Sequence, residues 1–153
     1  MKRKIAIWTI CFVALIAWIG LAFAQTVKPA VVKTIKLPNG EDVFDVSGEW
    51  DVLVEHYDQW AHFGTFRQLY KISQEGTSYT GIRLEDSPLP TTGKAGAKCL
   101  QGEVDKNGVN KIEVISGGGY ILPSSCKISE DGNKINIDVP QKIRLTLTRK
   151  CNC

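Results

Sequence analysis

Both histidines of the chain fall in one nine-residue run, Glu55-His56-Tyr57-Asp58-Gln59-Trp60-Ala61-His62-Phe63. Imidazole and carboxylate suit a divalent transition metal, so His56, Asp58 and His62 are the candidate ligands. Their spacing matches no metal motif, and a further strong ligand would have to come from elsewhere. The expectation is therefore no metal and no cofactor. The other chemistry in this run is aromatic. Tyr57, Trp60 and Phe63 offer the amphipathic or apolar surfaces that rim a binding site. Tyr120, after the flexible corner Gly117-Gly118-Gly119, is a fourth candidate ligand contact.

Cysteine is the second reactive residue type. Cys11 lies in the N-terminal apolar run, leaving Cys99, Cys126, Cys151 and Cys153. Four cysteines in an exported chain imply two disulfides with three possible connectivities. Strand parity favours Cys99–Cys126, with the Cys-x-Cys tail at 151–153 pairing with itself, staying reduced or bridging to another chain; a link from the tail back to Cys99 or Cys126 is the other arrangement. A Cys-x-Cys loop would be strained and easily reduced.

Catalysis has little support. The chain has no Gly-x-Ser-x-Gly, His-Glu-x-x-His, P-loop or Cys-x-x-Cys-His, which removes the common hydrolase, zinc-protease, nucleotide and c-type haem signatures. Carboxylates such as Asp51, Glu55, Asp58 and Glu113 read as the wet faces of strands. No enzymatic activity is expected.

The compartment follows from the first 24 residues. Lys2, Arg3 and Lys4 precede seventeen uncharged residues, Ile5 to Leu21, and then Ala22-Phe23-Ala24. A basic start, an apolar run and a small-x-small site make a secretory signal peptide cleaved after Ala24. The alternative is an uncleaved anchor, because the uncharged stretch reaches Val27 and about 20 apolar residues can span a bilayer. Either way the remainder is periplasmic or extracellular, touching the membrane only through that segment.

The whole chain has 19 Lys+Arg against 16 Asp+Glu. Three of the basic residues are Lys2, Arg3 and Lys4, so the part beyond residue 24 is formally neutral. A neutral domain lacks the electrostatic footprint that nucleic-acid binding requires. Removing 24 residues from 153 leaves 129, enough for one domain.

Residues 25–45 read as a lead-in with a turn at Leu37-Pro38-Asn39-Gly40. From Gly48 a period of two takes over. Trp50, Val52 and Val54 share one parity, as do Phe66, Tyr70 and Ile72. Thr80, Ile82 and Leu84 continue the pattern, and Ile135–Val139 and Ile143–Leu147 show it most cleanly. Glu75-Gly76, Asn107-Gly108 and Asp131-Gly132 each separate two runs, as hairpin turns do. Eight strands follow, near 48–57, 66–73, 78–84, 98–104, 110–116, 120–128, 133–139 and 142–149. The fold class is all-β: an antiparallel up-and-down barrel or a β-sandwich over residues 46–150. The loop Glu85–Ala97 is long for a hairpin and reads as a lid.

Gly48-Glu49-Trp50 at the first strand of such a meander resembles the lipocalins and, more loosely, the avidin-like barrels. The resemblance implies a closed barrel, with Trp50 plugging one end and a ligand cavity at the other. The functional expectation is an exported, non-catalytic barrel for an apolar or amphipathic small molecule. The alternative is a solid-cored envelope module that meets a protein partner.

Overall fold

A computed structural model describes residues 33–89 and 93–150. The segment read as a signal or anchor and the Cys151–Cys153 tail lie outside the described residues. A hairpin of β1 (Thr34–Lys36) and β2 (Asp42–Phe44) comes first. The main sheet comprises β3 (Gly48–His56), β4 (Thr65–Glu75), β5 (Ser78–Arg83), β6 (Lys98–Asp105), β7 (Gly108–Ile115), β8 (Ile121–Leu122), β9 (Ser125–Ile128), β10 (Lys134–Val139) and β11 (Ile143–Arg149). A 3-10 turn, Asp58–Phe63, links β3 to β4.

Every pairing is antiparallel, in the order β8-β7-β6-β5-β4-β3-β11-β10-β9. The two edge strands, β8 and β9, are consecutive in the chain. Pro123 and Ser124 interrupt the single run expected over 120–128. Its first half pairs with β7 and its second half with β10. A proline lacks the N–H that a continuous ladder would need. The sheet curls until β9 lies beside β7. There Ser124 Oγ donates to the Ile112 carbonyl at 3.0 Å, and Cys126 Sγ lies 3.7 Å from the Val109 carbonyl. All-β architecture is thus observed, with seven of the eight expected runs as single strands and the eighth split into β8 and β9.

The expected turns are in place. Gly76 and Gly132 take φ of +60° and +69°, the left-handed values that glycine tolerates at a tight hairpin.

The core is the concave side of the curl. Trp50, Val52, Leu100, Ile137 and Leu147 are fully buried there. The hairpin closes one end. Val43, Phe44 and Val46 join the core, so packing begins inside the stretch read as a lead-in. Trp50 donates its indole N–H to the Val46 carbonyl at 3.0 Å. The Arg149 guanidinium stacks 4.5 Å above the Trp50 ring and donates to the carbonyls of Ser47 and Asp45. The Asp45 carboxylate pairs with Lys33 at 2.7 Å and accepts the Ser47 N–H. Burial alone would push this carboxyl up, but the Lys33 pair and the Ser47 hydrogen bonds outweigh it and hold it below its ordinary value.

One strand departs from the expected parity. On β5 it is Tyr79, Gly81 and Arg83 that are buried, while Thr80 and Ile82 are only partly covered and Leu84 is exposed. Register decides this. Gly81 faces Ile72 on β4 and Leu100 on β6, and Arg83 faces Tyr70. A Cβ at Gly81 would stand 3.0 Å from Leu100 Cβ, so a side chain there would crowd the core.

The favoured Cys99–Cys126 bridge is not present, and both thiols are free. Cys99 adjoins Leu100, which pairs with Val114, whereas Cys126 touches Val109. Five residues along β7 separate those points. At ~3.3 Å per residue that is ~16 Å, against the roughly 4.4–6.8 Å between Cα atoms that a disulfide requires.

Candidate functional site

The end of the curled sheet opposite the hairpin is open. There the inward side chains leave a cavity of ≈ 200 Å³. Its walls are Val54, Val114, Leu122, Ile143 and Leu145, the upper ends of the same rows that fill the core below. Its mouth is edged by the 3-10 turn on one side and by Ser116-Gly117-Gly118 on the other.

The 3-10 turn explains the aromatic rim. Asp58 takes a φ of +48° and Gly64 a φ of +70°, so the chain folds back sharply between β3 and β4. That reversal carries Trp60 and Phe63 over the opening. Their rings meet edge to face at 6.3 Å, and His56 lies against both. Lys142 Nζ stands 5.3 Å from the Trp60 ring, placing a cation beside the mouth.

The sequence-derived candidates separate in space. Trp60 and Phe63 line the cavity, and His56 joins them. Tyr57 does not. Its hydroxyl lies 3.1 Å from both Asp138 Oδ1 and the Val139 carbonyl and accepts the Gln141 N–H at 3.0 Å, fastening the turn to the β10–β11 hairpin. Tyr120 is 75 % exposed and stands outside the cavity. The three metal candidates do not converge. His56 Nδ1 is 2.8 Å from the Gly64 carbonyl, and His62 packs on Phe63 at 4.0 Å. Among the described residues, no group of three His, Cys, Asp or Glu side chains could hold a metal ion. The loop read as a lid is tied down where it is described. Asp86 pairs with Lys94 at 2.9 Å and accepts the Ala95 N–H, while Glu85 accepts the Leu69 N–H at 3.0 Å.

Three polar residues that sequence reasoning passed over line the deeper wall: Gln68, Tyr70 and Arg83. The Tyr70 hydroxyl donates to Gln68 Oε1 at 3.1 Å. The Arg83 guanidinium lies 5.8 Å from the Tyr70 ring centroid. Burial pushes the Tyr70 phenol well above its ordinary value, and it pushes the neighbouring Cys99 thiol up to about 12. Both groups are therefore neutral near pH 7. A high thiol pKa also makes Cys99 a poor nucleophile. No carboxylate belongs to the cavity lining. The one sequence signal for Arg83 was the strand it sits on, and the apolar parity of that strand pointed the wrong way.

No family model, no curated protein and no solved structure matches the chain.

Proposed function

We propose that this protein is an exported, non-catalytic carrier of a small apolar or amphipathic molecule, held in the open end of a lipocalin-like barrel. The observation that carries the reading is the cavity itself. It is walled by aliphatic side chains, rimmed by two aromatic rings, and set opposite an end plugged by Trp50 and the hairpin. Apolar walls with a few polar groups are the usual make-up of small-molecule sites. A volume of ≈ 200 Å³ lies below the ~300–1,000 Å³ typical for drug-sized ligands, so the occupant is small. Export is supported by the N-terminal sequence. A second reading, a protein partner at the mouth, draws on the exposed Tyr120 and Ile121 that flank it.

The test is calorimetric titration with 1-octanol. Binding at one site is expected, and Val114→Phe should weaken it by at least about 10-fold. The added ring displaces several ligand CH₂ contacts worth ~0.8 kcal/mol each. An octanol affinity unchanged by Val114→Phe would place binding elsewhere and end the cavity reading. No binding at all would favour the partner reading.

A further inference from the structure

Arg83 lies against the Tyr70 ring, but nothing among the described residues neutralises its charge. Its residue surface is only 7 % exposed, and it faces the cavity. Neither Nε nor Nη1 has a hydrogen-bond partner, and no ion pair reaches it among the described residues. Gly93 folds over its back, where a Cβ would come within 2.9 Å of Nη1. A guanidinium carries its full charge at any ordinary pH. Burying such a charge with no opposite charge beside it costs several kcal/mol. Natural cores avoid this, and the usual reason to accept it is function.

The neighbours do not neutralise the charge. Tyr70 and Cys99 are held in their neutral forms by burial, and the lining holds no carboxylate. Gln68 adds to the imbalance. Its Oε1 is taken by the Tyr70 hydroxyl, while its Nε2, also buried, has no acceptor. Donors without acceptors therefore gather on one wall of an otherwise aliphatic cavity. The Lys142 ammonium also stands beside Trp60 at the mouth.

We propose that Arg83 and Gln68 form the head-group site of the cavity, and that its ligand is a small amphipathic monoanion, a carboxylate with a short apolar tail. The proposal rests on the carrier reading above and sharpens it. A monoanion balances one cation, whereas a dianion would bring a surplus charge into aliphatic walls. The small volume excludes long chains. The tail lies along Val54, Val114, Ile143 and Leu145, and the charged head meets the guanidinium and the Gln68 amide.

The experiment compares octanoate, 1-octanol and octylammonium on the purified protein by calorimetry. The same tail is paired with a negative, a neutral and a positive head. Wild type should bind octanoate at least about 10-fold more tightly than octanol, the gain expected of charge-assisted hydrogen bonds in a dry site, and octylammonium most weakly. Arg83→Gln should erase the octanoate advantage while keeping octanol affinity within about threefold, and it should melt no lower than wild type. Equal affinities for octanoate and octanol in wild type would overturn the head-group site and leave the carrier reading standing. No binding of any of the three would remove the carrier reading, and the proposal with it. The wild-type comparison decides the matter even if Arg83→Gln fails to fold.

Discussion

Asp45 shows how single residues hold the closed end. Its carboxylate joins Lys33 of the chain entering β1 to the Ser47 backbone at the start of β3, and its own backbone carbonyl accepts from Arg149. The folded-state pKa is depressed, so this group stabilises the fold above its unfolded value of about 3.9. The contribution is lost as pH falls through the lower folded value. Acid unfolding followed by tryptophan fluorescence should therefore show less pH dependence below about pH 4 in Asp45→Asn than in wild type. Identical acid limbs would contradict this role. None of it was legible in sequence. Asp45 sits in a stretch whose charges and apolar residues alternate without a period, and its partners come from 12 residues before it and from the far end of the chain. Trp50 was legible, because a tryptophan opening a two-period run must be buried by its strand. Tyr57 was misplaced for a related reason. Its type suggested a ligand contact, but the hydroxyl is consumed by the β10–β11 turn, more than 80 residues away.

At the level of elements, strands were readable wherever one face is dry and the other wet. The pairs β10–β11 and β3–β4 were readable for that reason. β5 was not, because its dry face carries Tyr79, Gly81 and Arg83 rather than aliphatic residues. What makes β5 fit is small size at close approach, and composition cannot show that. Gly102 on β6 is the sharper case. A Cβ there would fall 2.0 Å from the Lys111 carbonyl oxygen and 2.5 Å from Tyr79 Oη, which itself donates to that carbonyl at 3.0 Å. The backbone atom cannot move without opening the β6–β7 ladder. Gly102→Ala should therefore destabilise by about 3 kcal/mol or more, at the upper end for overpacking, as measured by urea unfolding. A loss under about 0.5 kcal/mol, the level of an ordinary surface substitution, would show that the strands are not this close.

For the whole molecule, the curl of one sheet divides the labour between two ends. The end holding Trp50, Arg149 and the hairpin is filled and cross-tied, so it supplies stability. The end holding Trp60, Phe63 and Arg83 is open and unevenly charged, and it departs from the packing rules that the other end obeys. Such local departures are expected where a fold serves function. Sequence conveyed the meander, the plugged end and two rim aromatics. It missed the charged wall, because the β4–β5 register sets Arg83 beside Tyr70 and Gln68. The most direct measurement is an amide-resolved NMR titration of the protein with octanoate. The account predicts shifts at Arg83, Ser116, Gly117 and Gly118 and at the Trp60 indole, with the Trp50 indole and the Val43–Asp45 amides unmoved. Shifts confined to the hairpin end, or no shifts at all, would contradict it.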